Sequence, residues 1–212
     1  MLSARLRELG IESFHMEAVK DDPTVMSEKL KEAAKAADII ITTGGVSVGK
    51  KDIMHESLRL MGAERIFWRV KMKPGMPTLF SAYKKTSDIT ATDNCASERE
   101  IPIISLSGNP FGVAVSIELL IRPALEKMMQ DPSIGLKEVN GIMADNFEKG
   151  IKGRRFIRAY LENGKFHLPN GLHSNGVLSS MAGCNCLIDT KTMENQESRS
   201  LNAGDKVGAI LL

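Results

Sequence analysis

Asp38-Ile-Ile-Ile-Thr-Thr-Gly-Gly-Val-Ser-Val-Gly49 is the stretch on which the fold turns. The β-branched run Ile39 to Ile41, bounded by Asp38 and by glycines, suits a strand buried on both faces. The glycines then let the backbone turn sharply into a helix predicted from about Asp52 to Met61. Successive N–H groups in such a turn can converge on one anion, and the helix start adds partial positive charge. A phosphate is the natural guest, although a bare strand-to-helix turn gives the same local pattern. Gly44-x-x-x-x-Gly49-Lys50 also approaches a nucleotide P-loop, but Lys51 stands where Ser or Thr would hold magnesium.

Strand and helix periods alternate on both sides of this stretch. Leu2, Leu6 and Leu9 are spaced for a helix that Gly10 ends, and Ser13 to Val19 reads as a short strand. Asp22-Pro23 starts the next helix, with Asp22 as N-cap and Met26, Leu30, Ala33 and Ala37 on one stripe. Downstream come a strand from Arg65 to Met72, a Lys73-Pro-Gly-Met-Pro77 turn, a strand from Thr78 to Tyr83 and a buried-type strand from Ile101 to Leu106. A long helix, bent at Pro123, follows from Phe111 to Met129. This alternation predicts an α/β domain, a three-layer mostly parallel sheet over residues 1–135. Lys84 to Glu100 reads as an exposed excursion. Beyond Asp131-Pro-Ser-Ile-Gly135 short segments (155–162, 165–168, 186–189, 206–212) are separated by Gly, Asn and Ser. They predict a small all-β, barrel-like domain over 136–212.

Composition narrows the function. Lys+Arg 28 against Asp+Glu 26 leaves a net charge of +2, which gives no electrostatic case for nucleic acid. The longest apolar stretch, Phe111 to Leu125, is interrupted by Glu118, Arg122 and Pro123, too short and too charged to span a membrane. No signal peptide is visible and the 3 cysteines are too few for a disulfide framework, which implies a cytoplasmic setting. Cys184 and Cys186 share a strand face but lack the second pair that zinc needs. His15, His55, His167 and His173 have no ligand spacing and read as structural or surface residues.

Three further places could carry chemistry. Asp52 follows the glycine loop; a carboxylate beside a phosphate calls for a cation between them, so Asp52 is either a Mg²⁺ ligand or a simple helix cap. Ser107-Gly-Asn-Pro110 offers a second anion-ready helix start, with Asn109 as cap, Pro110 in the first turn and Gly108 allowing close backbone approach. Two such loops at carboxyl ends of parallel strands define a crevice where α/β folds bind ligands. Arg69, Lys71 and Lys73 alternate along one predicted strand, facing either an oxyanion or an exposed edge that they protect.

Taken together, Thr42-Thr-Gly-Gly-Val-Ser-Val-Gly-Lys-Lys-Asp52, Val70-Lys-Met-Lys-Pro-Gly-Met-Pro77 and Leu106-Ser-Gly-Asn-Pro110 resemble the MoeA family of molybdopterin molybdenumtransferases, related to the C-terminal part of gephyrin. Arg154-Arg-Phe-Ile-Arg158 and Asn175-Gly-Val-Leu-Ser-Ser-Met-Ala182 resemble that family's small C-terminal β domain. The resemblance implies molybdenum cofactor biosynthesis: transfer of molybdenum from molybdate into adenylylated molybdopterin, the substrate, with release of AMP and dependence on Mg²⁺. It further implies that Thr43, Gly44, Gly45, Ser47, Val48 and Gly49 cradle the phosphate side of the pterin, and that Asp52 holds Mg²⁺ or positions water. Lys73, Arg69 and Lys71 would meet the oxyanion; Ser107, Gly108, Asn109 and Pro110 would form a second wall; Ser174 would touch substrate from the C-terminal domain.

The sequence departs from the family at three points. It starts at what reads as the first helix, so a preceding strand ending Asp-Ser-Asn is missing, as are the N-terminal domains that complete the cleft across a dimer. Ser107 replaces the usual proline. The expectation is therefore a partial enzyme that forms homo-oligomers. The alternatives are a non-catalytic molybdopterin-binding or scaffolding module and a MogA-like molybdopterin adenylyltransferase, against which the C-terminal β domain argues.

Overall fold

The computed structural model describes residues 1–47, 52–85, 99–148, 153–170, 181–190 and 200–212. Its residues group into two compact units, and neither is a single run of chain. One holds 14–70 and 77–108; the other holds 1–13, 71–76 and 109–212. Packing thus divides the chain differently from a single cut at residue 135.

In the first unit, helix α2 (Pro23–Ala33) begins where its cap requires: the Asp22 carboxylate accepts from the Thr24 and Val25 amides at 2.8 and 3.2 Å. Strand β1 (Ile40–Thr43) leads into the glycine loop, and α3 (Met54–Met61) follows, ended by Gly62 in the left-handed conformation. The strands β2 (Glu64–Trp68), β4 (Leu79–Lys85) and β5 (Arg99–Leu106) complete a four-stranded sheet in the order β1-β5-β4-β2. The expected α/β class holds, but the strand directions are mixed rather than mostly parallel. Only β1–β5 is parallel; β5–β4 and β4–β2 are antiparallel. No helix lies between β2 and β4, and without a crossover neighbouring strands must reverse. Leu30, Met54, Leu58, Met61, Leu79, Ile101 and Ile103 form the core between α2, α3 and the sheet.

Two predicted strands change. Ser13 to Val19 forms no strand, and Phe14 stands 74% exposed. Residues 65–72 are not one strand: β2 stops at Trp68, Arg69 takes a left-handed φ of 73°, and β3 (Met72–Lys73) belongs to the other unit. The predicted excursion at 84–100 shrinks at both ends, since β4 runs to Lys85 and β5 begins at Arg99; residues 86–98 lie outside the described residues.

The second unit contains α1 (Leu2–Glu8), a long helical segment and the β domain. The segment runs as α4 (Pro110–Ser116), a wider π turn (Ile117–Ile121) and α5 (Arg122–Met129). Pro123 cannot donate a backbone bond, so the widening just before it is where the helix accommodates the ring. Strands β6 (Glu138–Met143), β7 (Arg154–Glu162), β8 (Lys165–His167), β9 (Cys186–Asp189) and β10 (Lys206–Leu211) close into a five-stranded barrel, with β3 added alongside β7. Ile157 and Ala159, Cys186 and Ile188, and Val207 and Ala209 alternate into its interior around Phe166. Strand β6 was not anticipated from sequence. It carries Gly141, where a Cβ would lie 2.7 Å from the Phe166 ring, so packing demands the residue that weakens the strand signal. Burial pushes the Cys186 thiol up to about 12, and raises Cys184 as well, which opposes the thiolate form a metal would need.

Glu118 and Arg122 interrupt the apolar stretch for a structural reason. The buried Glu118 carboxylate accepts from Arg5 Nε and Nη2 at 2.7 and 3.1 Å and from Arg122 Nη1 at 2.9 Å. Arg122 also donates to the Ile134 carbonyl and to the Gly135 carbonyl at 2.9 Å. Removing one member of such a group leaves a buried charge uncompensated. Arg122→Met is expected to cost about 3–5 kcal/mol in urea unfolding, whereas a loss below ~1 kcal/mol would show that the network is not a support of the fold.

Candidate functional site

The site begins at the carboxyl ends of β1 and β5. Their parallel register pairs Thr42 with Ser105 and Thr43 with Leu106, so both strands end at one level. The Gly44 amide extends the ladder one step by donating to the Leu106 carbonyl at 2.9 Å. The two loops then run so close that a Cβ on Gly108 would sit 3.6 Å from the Gly44 Cα. Gly44 and Gly45 have φ of 91° and 67°, a region disfavoured for side chains. Gly44 is thereby brought beside Gly108, one step beyond the pairing of Thr43 with Leu106. Val48 and Gly49 lie outside the described residues, as does Ser174.

Helix α3 is tied to this loop by the Met54 amide, which donates to the Gly45 carbonyl at 3.1 Å. The N-cap position of this helix falls on Ile53, which makes no side-chain capping bond, and Asp52 stands one residue ahead of it. In the other unit, Asn109 does cap α4, its side-chain oxygen accepting from the Gly112 amide at 3.0 Å, and Pro110 opens the helix. Lys71 and Lys73 flank Met72 in and beside β3, where Met72 pairs with Arg154 and Lys73 with Arg155. The turn after Lys73 lies against α4, since a Cβ on Gly75 would come 2.8 Å from Ser116 Oγ. Arg69 lies past the end of β2 and Lys73 in β3, so the three do not form one face of a strand.

Two residues passed over in the sequence belong to the loop's surroundings. Trp68 donates its indole N–H to the Val46 carbonyl at 3.0 Å. Register carries it across the sheet in a row with Leu79, Ser105 and Thr42. His55 meets the Trp68 ring edge-on, centroids 4.7 Å apart. Its being the single tryptophan, next to a candidate cation, is the signal that could have singled out Trp68.

Comparison with known proteins was made against this geometry. Residues 1–127 match the family model described as a probable molybdopterin binding domain, and residues 140–212 match the MoeA C-terminal region (domain IV). The chain belongs to the probable molybdopterin binding domain family, in its MoeA form. It is 30% identical over 214 aligned residues to the molybdopterin molybdenumtransferase of Staphylococcus aureus, covering 100% of this chain and 46% of that protein. The Bacillus subtilis protein of the same name is 27% identical over 191 residues, covering 89% and 41%. The chain therefore spans less than half the length of these relatives. The crystal structure of the molybdopterin biosynthesis moeA protein from Pyrococcus horikoshii superposes with a TM-score of 0.69 at 22% identity, over 100% of this chain and 45% of that one, a likeness of fold. Among the described residues no helix is long and apolar enough to cross a membrane.

Two predictions follow from the loop. Gly44→Ala, open in space but forced to keep a positive φ, is expected to cost about 1–2 kcal/mol in thermal or urea unfolding. Gly108→Ala, which meets only an ordinary contact, should stay within ~0.5 kcal/mol; equal costs would show that conformation does not govern the loop. His55 is held below the usual imidazole value of 6.5 by burial first and the Arg65 charge second, with Asp52 opposing. The unfolded chain then binds more protons on His55 than the folded one, so stability falls as pH drops below 6.5. Melting temperatures between pH 7.5 and 5 should decline less steeply in His55→Asn than in the parent.

Proposed function

We propose that this chain is the molybdopterin-binding and C-terminal part of a molybdopterin molybdenumtransferase. It binds adenylylated molybdopterin and takes part in moving molybdenum from molybdate into the pterin dithiolene, with release of AMP. The observation that supports this most directly is the pair of loops ending β1 and β5, with Gly44 and Gly108 in near contact. The Gly44 amide is taken by the Leu106 carbonyl, and the amides that follow it in the loop would suit the phosphate side of a pterin. Names carried by relatives that match 100% and 89% of this chain support the same substrate class, and the C-terminal match favours this activity over an adenylyltransferase. In this reading residues 1–135 and 136–212 are the two inherited domains, flanking the gap between the matches at 127 and 140.

The roles follow from chemistry. Thr43, Gly44, Gly45, Ser47, Val48 and Gly49 take the phosphate, with Ser107, Gly108, Asn109 and Pro110 as the second loop and Ser174 a contact from the C-terminal domain. Lys73, Lys71 and Arg69 neutralise oxyanion charge. No group of three His, Cys, Asp or Glu among the described residues is placed to hold a metal. A single carboxylate still fits Mg²⁺, which is held by one or two carboxylates together with substrate phosphates and water. Asp52 is that carboxylate, and the ion would neutralise phosphate charge. Homo-oligomer formation and a cytoplasmic setting belong to the same proposal.

The second reading is a molybdopterin-binding module without turnover. Titration with molybdopterin, followed by AMP release from its adenylylated form with molybdate and Mg²⁺, separates the two. Release that falls about 100-fold in Lys73→Ala and Asp52→Asn supports the enzyme; binding without release supports the module; neither binding nor release removes both.

A further inference from the structure

Three groups meet on the ring of Trp68. The indole N–H holds the Val46 carbonyl inside the glycine loop at 3.0 Å. The Arg69 guanidinium lies over the ring face, its Cζ 4.3 Å from the centroid. His55, from the first turn of α3, closes on the ring edge-on, and its Nε2 is buried with no hydrogen-bond partner among the described residues. The backbone is also committed to this arrangement. Arg69 adopts a φ of 73°, which a side chain other than glycine disfavours, and its amide donates to the Thr78 carbonyl at 2.8 Å. An exposed arginine can reach water from any ordinary backbone conformation. Here the strained residue is the one whose cation lies over the indole, and strain held in place by its surroundings points to a use.

We propose that Trp68 is a positioning residue of the glycine-loop site: it pins the loop through Val46 and seats the Arg69 guanidinium, so that loop amides and one cation are offered together to the phosphate of a pterin phosphate ester. The inference deepens the molybdopterin-binding reading and rests on it. Indole is the best aromatic partner for a cation, and a guanidinium stacks on it while leaving its N–H fork free for phosphate oxygens. A seated arginine has already given up the rotamer freedom that a mobile one loses on binding.

The chain's single tryptophan reports on its own site. Without ligand, Arg69→Met should increase acrylamide quenching of Trp68 and shift its emission to the red; unchanged quenching overturns the seat. With molybdopterin as probe, Arg69→Met is expected to weaken binding about tenfold in the parent but less than about threefold in a Trp68→Leu background. An equal loss in both backgrounds overturns the coupling. Should Trp68→Leu not fold, Trp68→Phe carries the test. It keeps a ring face and loses the N–H, so it should weaken binding several-fold by itself while Arg69→Met retains its near tenfold effect; a Phe variant that binds like the parent overturns the pin. A parent chain that does not bind molybdopterin removes the underlying reading, a failure distinguishable because the shielding of the indole by Arg69 is measured without ligand.

Discussion

The hydrogen bond from Gly44 to the Leu106 carbonyl is the contact on which the candidate site depends. Parallel pairing sets the carboxyl ends of β1 and β5 at one level, and this bond carries the pairing beyond the last strand residues. The two loop backbones then pass close together, a Cβ on Gly108 falling at ordinary contact distance from the Gly44 Cα. Positive φ at Gly44 and Gly45 turns the first loop, and the Met54 amide of α3 donates to the Gly45 carbonyl. A phosphate-binding surface made of amides needs this economy of side chains, because every added carbon keeps the backbone farther from the anion.

The other unit is organised around a charge rather than around glycines. Glu118 sits in the π turn between α4 and α5, and its carboxylate serves both Arg5 and Arg122. Arg122 also donates to the carbonyls of Ile134, Gly135 and Leu211. Helix α1, the bent helix and the turn leading into the barrel are thus joined by one buried polar group. Satisfying nearly every donor is what makes such burial tolerable. The barrel has a conventional apolar interior, and β3 extends it by pairing with β7, which fixes the backbone of Lys73 within that unit.

Legibility varied with the range of the interactions concerned. The start of α2 was plain because Asp22 and Pro23 act within three residues of themselves. Asn109 was plain for the same reason. The segment 65–72 misled: its alternation continues past Trp68, but the left-handed turn at Arg69 ends the strand, and nothing in the local pattern marks it. The segment 13–19 alternates like a strand but pairs with no strand among the described residues, and Phe14, Met16 and Ala18 stay exposed. Asp52 stands one residue ahead of the N-cap position at Ile53, so spacing placed it at the helix start without deciding between cap and ligand.

Residue spacing alone settled the helices, the strands that end at the glycine-rich turns and the family that those turns resemble, because turn chemistry, capping and periodicity are written within a few neighbouring residues. Folding settled the rest. That Gly108 lies against Gly44, that Trp68 reaches Val46 from 22 positions away, and that Arg69 lies past the end of β2 with Lys73 in β3 all follow from strand pairing between distant segments. Pairing of that kind is selected by burial of the whole sheet, and no short stretch of sequence contains it.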